Sequence, residues 1–153
     1  MKGVFKFLIA AAVFAGVAVS DSTSFKVHVI GDSTVCNYKD SAYPQTGWGQ
    51  ILGSFFDGSR VQVVNYAIGG RSSKTFVQEG RLDEVKKNLQ KGDIMMVQFG
   101  HNDRYFGSKA REVPFDSLGY WLQQYADVAK GAGVTLVYVT PMNMNMGANG
   151  RNI

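Results

Sequence analysis

A serine, a glycine and an asparagine each follow closely on a short apolar run of the sequence. Ser33 carries a hydroxyl that becomes a nucleophile when a base removes its proton. Gly70 has no Cβ to obstruct its backbone N–H, and Asn102 offers a carboxamide that stays neutral at any pH. With the Ser33 N–H, these groups form a set of donors for an oxyanion, each typically worth about 3 kcal/mol of barrier. Singly, each residue also fits a plain turn or loop, but together they predict ester hydrolysis through a serine.

The elements that must position these residues alternate between strand and helix. Runs rich in β-branched residues predict four strands, and amphipathic spacing predicts three helices. The strands cover 25–30, 61–67, 94–99 and 134–140, and the helices cover 47–57, 75–89 and 115–132. Such alternation gives right-handed crossovers and a parallel sheet that is covered on both faces. If the first strand lies between the second and third, the loops that carry Ser33, Gly70 and Asn102 meet where the winding changes direction.

Two of the predicted helices have distinctive local features. Thr46 is placed to cap the first helix. The side chains of that helix expected to face the core are Ile51, Leu52, Phe55 and Phe56. Gly80 lies inside the second helix and predicts a break there.

The composition indicates one globular domain behind an export signal. The chain has 153 residues, of which 45% are hydrophobic and 18% charged, as in a folded domain. Residues 1–20 combine Lys2 and Lys6 with an apolar run shorter than a membrane span. They predict a cleaved signal peptide, with an uncleaved anchor as the alternative, and residues 21–153 then form the mature domain. We therefore expect a secreted protein, extracellular or periplasmic, that is free of the membrane.

The charge balance and the cysteine count exclude several classes of function. Without Lys2 and Lys6 the 16 basic residues become 14, against 12 acidic ones, which gives no support for nucleic-acid binding. Cys36 is the single cysteine, so no internal disulfide can form, and we expect a small buried filler rather than a thiol nucleophile. With two histidines and no metal-binding motif, neither a metal nor another cofactor is expected.

Five short motifs stand at or near the predicted strand ends. They are Gly31-Asp32-Ser33-Thr34, Gly47-Trp48-Gly49, Asn65-Tyr66-Ala67-Ile68-Gly69-Gly70-Arg71-Ser72-Ser73, Glu79-Gly80-Arg81 and Phe99-Gly100-His101-Asn102-Asp103. Together they resemble the SGNH (GDSL-type) hydrolases and, within these, the rhamnogalacturonan acetylesterases, from about residue 27 to residue 141. The resemblance implies an α/β fold, a flavodoxin-like three-layer α/β/α sandwich. It also implies metal-free removal of acetyl groups from pectic or other plant cell-wall polysaccharide.

The resemblance assigns roles to individual residues. It makes Ser33 the nucleophile and Gly70 and Asn102 the oxyanion donors. Five neighbours are expected to contact the acetylated polysaccharide, namely Asp32, Thr34, Arg71, His101 and Asp103. Four cations are expected either to attract a galacturonate-rich chain or to be solvated surface charge: Arg71, Lys74, Arg81 and Arg104.

The chain departs from the family pattern in one respect. The family takes its base from an Asp-x-x-His that follows a fifth strand, and the printed sequence contains no such motif. His28 is expected to be a strand residue, and His101 immediately precedes the oxyanion asparagine. We expect that a last strand and helix are missing, which would leave a sheet edge uncovered. Because loss of a triad member typically cuts the rate by ~10⁴, we expect the 153-residue chain to be unstable and poorly active.

Two other functions stay open on the sequence. A lipolytic esterase or thioesterase of the same superfamily would need an apolar groove for the acyl chain. A non-catalytic carbohydrate-binding module would keep the fold without the base. Its sugar-stacking residues, which otherwise pack in the core, would be Trp48, Tyr105, Phe106 and Trp121.

Overall fold

A computed structural model describes residues 24–104 and 108–143, so the predicted signal peptide, Tyr105 and Phe106 lie outside the described residues. Four strands and four α-helices alternate along the chain. They are β1 (Phe25–Gly31), α1 (Trp48–Ile51), β2 (Val61–Asn65), α2 (Ser73–Gln78), α3 (Arg81–Lys86), β3 (Ile94–Gln98), α4 (Phe115–Ala132) and β4 (Thr135–Tyr138). Two short 3-10 helices lie at Asp40–Ala42 and Leu52–Phe55.

The four strands form one parallel sheet in the order β2-β1-β3-β4. Val29 in the middle of β1 pairs with Asn65 on one side and Met96 on the other, and Gly31 pairs with Gln98. The prediction that the first strand lies between the second and third is confirmed. The loops that follow β1, β2 and β3 therefore all leave the sheet at the carboxyl ends of its strands.

Helices cover both faces of the sheet, which confirms the three-layer architecture. On one face, α2, α3 and α4 enclose a core of buried residues that includes Ile30, Phe76, Leu82, Val85, Met95, Val97, Phe99, Tyr125 and Ala129. On the other face, a smaller core packs under α1 and comprises Val27, Val29, Val35, Cys36 and Ala67. Cys36 is 7% exposed, as expected of a small buried filler.

The helix predicted over 47–57 is wrong in length and in orientation. It is split into the single turn of α1 and the 3-10 helix that follows it, and its N-cap is Gly47 without any side-chain capping bond. Thr46 instead donates its hydroxyl to the Pro44 carbonyl at 3.4 Å. Of the apolar side chains expected in the core, Leu52 is half-buried and three are exposed, namely Ile51, Phe55 and Phe56.

Close backbone contact explains this difference. A Cβ on Gly47 would lie 2.2 Å from the Cys36 carbonyl oxygen, and one on Gly49 would lie 2.6 Å from the Val35 carbonyl oxygen. Two glycines that touch the neighbouring main chain hold the segment in place, and they do so without a continuous apolar helix face.

The remaining elements follow the predictions closely. The second helix is interrupted where expected, because Gly80 separates α2 from α3 with a left-handed φ of 72°. The helix predicted over 115–132 has those bounds in α4. Within the described residues β4 forms the sheet edge, and both Val137 and Tyr138 are exposed there. No helix in the described part of the chain is long and apolar enough to cross a bilayer.

Candidate active site

Ser33 lies on a tight turn that leaves β1. The N–H groups of Val35 and Cys36 both donate to the Asp32 carbonyl, at 3.1 and 3.0 Å. The Asp32 carboxylate in turn accepts from the Thr34 N–H at 2.9 Å and from its hydroxyl at 2.8 Å. These four hydrogen bonds hold the turn in a helix-like form, with the Ser33 side chain half-buried at its tip.

Side-chain hydrogen bonds join this turn to the end of β3. Trp48 Nε1 donates to Gln98 Oε1 at 2.9 Å, and Gln98 Nε2 donates to the Thr34 hydroxyl at 2.7 Å. Tyr38 donates its hydroxyl to the Ser33 carbonyl at 2.7 Å. Thr34 is therefore occupied within the protein, and Trp48 is half-buried with its ring N–H satisfied. Sequence reasoning missed Gln98, whose one signal is an amide at the end of an apolar strand.

The loop after β2 passes directly beside Ser33. A Cβ built on Gly69 would lie 3.6 Å from the Ser33 Cβ. Gly70 follows with a φ of 79°, in the left-handed region that favours glycine. Among the described residues, neither the Ser33 nor the Gly70 backbone N–H donates to a protein acceptor. Two neighbouring loops thus each present an unpaired N–H.

Asn102 completes this group from the loop after β3. Its Nδ2 donates to the Arg71 carbonyl at 3.0 Å, and its Oδ1 accepts from Arg111 Nη1 at 3.1 Å. The same Nη1 would lie 3.7 Å from a Cβ on Gly70. We call Ser33, Gly70 and Asn102 the donor cluster. The structure brings its members together from three strand ends, and one N–H of the Asn102 carboxamide remains available.

Asp103 anchors the Asn102 loop to α2. It accepts from the Ser73 N–H at 3.1 and 3.2 Å and from the Ser73 hydroxyl, while Tyr125 donates its hydroxyl to the Ser73 carbonyl at 2.8 Å. Asp103 is 6% and Asp32 1% exposed. Burial raises the pKa of Asp103, the charge of Asp32 acts in the same direction, and the Ser73 hydrogen bonds oppose both. In this structure the two carboxyl groups support turns, and their contact with a substrate stays a prediction.

Protein groups engage Arg71, Lys74 and Arg81, which the sequence analysis singled out. Arg71 Nε lies 3.1 Å from Glu79 Oε2, and Arg81 shares that carboxylate. The hydrogen bond from Arg81, reinforced by Arg71, lowers the pKa of Glu79. Lys74 donates to the Glu112 carbonyl at 2.6 Å. These contacts favour a role within the protein over attraction of a polyanion.

Neither histidine serves Ser33 as a base in this structure. His28 is fully buried in β1 with Nε2 3.0 Å from Asp93 Oδ2, as expected of a strand residue. His101 Nε2 donates to the Met142 carbonyl at 2.8 Å. In residues 24–104 and 108–143, no histidine or carboxylate hydrogen-bonds the Ser33 hydroxyl, and no three His, Cys, Asp or Glu side chains group as metal ligands.

An apolar groove of about 460 Å³ lies between α4 and the end of β4. Its lining includes Phe99, Val113, Leu118, Leu122, Tyr138 and Pro141. Gly100 and Asp103 also line it, whereas no member of the donor cluster does. The groove therefore borders the Asn102 loop without opening onto the Ser33 hydroxyl.

Comparison with known proteins gives relatives of similar sequence. The chain is 43% identical over 117 residues to the probable rhamnogalacturonan acetylesterase YesY of Bacillus subtilis (strain 168), covering 76% of this chain and 53% of that protein. It is 39% identical over 116 residues to the rhamnogalacturonan acetylesterase RhgT of the same organism, covering 75% and 48%. The chain thus spans about half the length of these two relatives.

A solved structure supports the same relationship. The crystal structure of the Bacillus subtilis protein YxiM matches with a TM-score of 0.65 and 31% identity, covering 80% of this chain and 34% of that one. Residues 27–147 match the family model described as GDSL-like Lipase/Acylhydrolase. With that match over most of its length, the chain belongs to the GDSL-like lipase/acylhydrolase family.

Proposed function

We propose that the protein is a serine esterase that removes O-acetyl groups from plant cell-wall polysaccharide of the rhamnogalacturonan or pectin type. One observation supports the proposal, namely that the loops of Ser33, Gly70 and Asn102 lie side by side, with the Ser33 and Gly70 N–H groups unpaired among the described residues. The substrate class is inferred from the names of YesY and RhgT.

The proposed reaction has two stages. Ser33 Oγ attacks the acetyl carbonyl carbon while a base accepts the hydroxyl proton, and the carbonyl electron pair moves onto oxygen. The resulting oxyanion accepts hydrogen bonds from the Ser33 and Gly70 N–H groups and from Asn102 Nδ2. When the carbonyl re-forms, the sugar oxygen leaves with the proton held by the base, and acetyl-serine remains. Water then hydrolyses this ester and releases acetate.

The base that takes the Ser33 proton must be a group other than the hydrogen-bond partners described above. We propose that the 153-residue chain hydrolyses esters slowly, because oxyanion stabilisation without the base retains only part of the rate. Reading the codons that follow Ile153 in the gene tests whether an Asp-x-x-His continues the chain. We also propose secretion after cleavage of residues 1–20, which amino-terminal sequencing of the mature protein tests.

The decisive experiment measures acetate release by the product of the complete gene. Acetylated rhamnogalacturonan should be a better substrate than acetylated xylan. Ser33→Ala should lower the rate by about 10⁴-fold. Ser54→Ala, which alters an exposed serine on the 3-10 helix after α1, is the matched control and should leave the rate unchanged. Equal rates for the wild type and Ser33→Ala would refute the proposal.

The second candidate is a lipolytic esterase, which needs an apolar groove at Ser33, whereas the apolar groove beside the Asn102 loop is lined by no member of the donor cluster. The 4-nitrophenyl esters of acetate, butyrate and octanoate separate the two functions. An acetylesterase should lose activity steeply from acetate to butyrate, whereas a rise towards octanoate would support the lipolytic function. Binding of polysaccharide without turnover would instead indicate a carbohydrate-binding module.

A further inference from the structure

Arg111 is a half-buried cation in the segment before α4 that the sequence analysis did not single out. Its guanidinium lies between two members of the donor cluster, with Nη1 3.1 Å from Asn102 Oδ1 and 3.7 Å from the place of a Cβ on Gly70. Asn102 is the one side-chain partner of Arg111 among the described residues, and none of their carboxylates lies within ion-pairing distance of it.

The chemistry of its two neighbours fixes the orientation of the Asn102 carboxamide. A guanidinium only donates hydrogen bonds, and a backbone carbonyl only accepts them. Asn102 lies between the Arg111 guanidinium and the Arg71 carbonyl, so Oδ1 must face the former and Nδ2 the latter. The opposite orientation would set donor against donor and acceptor against acceptor. In the observed orientation Nδ2 keeps one N–H that is free for a ligand.

The main chain around Arg111 is itself held in place. The Arg111 N–H donates to the Ser108 carbonyl at 3.1 Å, and the Val113 N–H donates to the Asp103 carbonyl at 2.8 Å. Lys74 on α2 donates to the carbonyl of Glu112 at 2.6 Å. These contacts connect the segment to α2 and to the loop that carries Asn102. The guanidinium therefore approaches Asn102 from a fixed support.

We propose that Arg111 is a positioning residue, whose guanidinium sets the Asn102 carboxamide so that Nδ2 faces the place where the oxyanion forms. Its effect on catalysis rests on the proposed esterase function. Its effect on the carboxamide does not, and this allows two separate tests. A lysine at this position would supply a point charge without the planar fork of donors, so it should restore the orientation only in part.

The first test uses nuclear magnetic resonance of the 153-residue chain and needs no activity. The two Nδ2 protons of Asn102 are assigned by their loss in Asn102→Ala. Arg111→Met should shift both signals and bring them closer together, because the amide can then rotate. Lys109→Met, which removes an exposed cation from the same segment, is the matched control and should leave them in place. Unchanged Asn102 signals in Arg111→Met would overturn the proposal.

Backbone amide spectra show whether Arg111→Met is folded. Should it unfold, Arg111→Lys replaces it in the test. Partial displacement of the Asn102 signals in Arg111→Lys supports the proposal, and wild-type signals contradict it.

The second test is a double-mutant cycle measured on the product of the complete gene. Arg111→Met should lower kcat about 10-fold and leave KM unchanged, because an oxyanion donor acts in the transition state and not on bound substrate. In an Asn102→Ala background the same substitution should have no further effect, because the group that it positions is gone. An equal loss in both backgrounds would contradict the proposal. If the wild type hydrolyses no ester, the esterase function fails, and the resonance test still decides the role of Arg111.

Discussion

Two buried aspartates flank β3, one before its amino end and one after its carboxyl end, and their surroundings differ. Asp93 precedes the strand and accepts from the Lys26 N–H at 2.8 Å, the Gln90 N–H at 2.9 Å and His28 Nε2 at 3.0 Å. Asp103 follows the strand and accepts from the N–H and hydroxyl of Ser73. The two residues are almost equally buried, at 4% and 6% exposure.

Their pKa values nevertheless move in opposite directions. Burial acts to raise the pKa of Asp93, but the hydrogen bonds from Lys26, His28 and Gln90 outweigh it, so the pKa is lowered. For Asp103 burial prevails, with the charge of Asp32 acting in the same direction, and the pKa is raised. Equal burial thus has opposite consequences, because the donors around each carboxylate decide the outcome.

The contrast separates the amino end of the strands, whose contacts stabilise the fold, from the carboxyl end, which carries the candidate active site. At the amino end, each oxygen of the Asp93 carboxylate accepts a hydrogen bond from a main-chain N–H. At the carboxyl end, the Ser33 and Gly70 N–H groups are unpaired among the described residues. A buried side-chain atom without a hydrogen-bond partner among these residues occurs at each end, namely Asp32 Oδ2 at the carboxyl end and Nδ1 of His28, the partner of Asp93. Unsatisfied polar groups destabilise a fold, and they concentrate where a protein binds or reacts.

Asp93→Asn should have the largest effect on stability. The amide nitrogen would face N–H donors, and His28 would lose its partner, so we expect the free energy of unfolding to fall by about 3 kcal/mol. Asp83→Asn, on the exposed side of α3, is the control and should change little. Urea denaturation measures both. If Asp93→Asn lowered the free energy of unfolding no more than Asp83→Asn does, the distinction between the two ends of the strands would fail.

The acid side of the stability profile gives a check on the same residue. Because its folded-state pKa is lowered, Asp93 stabilises the wild type above pH 3.8, and this contribution is lost as the pH falls below that value. The slope that Asp93 contributes there should be absent from Asp93→Asn.

A pair of glycines tests whether catalytic function is confined to the carboxyl end of the strands. Gly70 and Gly80 have φ values of 79° and 72°, and a Cβ would meet no atom closer than 3.7 Å at the first and none within 4 Å at the second. Alanine at either position should therefore destabilise the fold by a similar amount, about 1 kcal/mol. Only Gly70→Ala should also lower kcat, since it alters a member of the donor cluster. Equal kinetics in both variants would contradict the oxyanion role of Gly70.

Asp103→Asn should have the smallest effect at neutral pH, below about 1 kcal/mol, because a neutral amide of the same shape can still accept from Ser73. The pH dependence is more informative. A raised folded-state pKa means that stability is greatest at low pH and falls as the pH rises from 3.8 through the folded-state pKa. Asp103→Asn should flatten this fall in thermal unfolding measured across that range. A profile parallel to that of the wild type would mean that Asp103 does not titrate in the folded protein as described.

Local patterns in the sequence were sufficient for most of the architecture. The strand–helix alternation and the interruption at Gly80 follow from composition and periodicity over short stretches, and both match the structure. The residues of the donor cluster could be singled out because each stands in the loop that follows an apolar strand. By contrast, the first helix was predicted with the wrong face, because the close approach of Gly47 to the Cys36 carbonyl depends on a neighbouring segment.

The sequence by itself determined which elements form and which polar groups stand at their ends, because these depend on neighbours along the chain. Only the tertiary structure decided which distant groups meet. His28 with Asp93, Gln98 with Thr34, and Arg111 with Asn102 are contacts of this kind. A parallel sheet brings such residues together through strand order and register, and the hydrogen bonds they make depend on directions that no spacing in the sequence encodes.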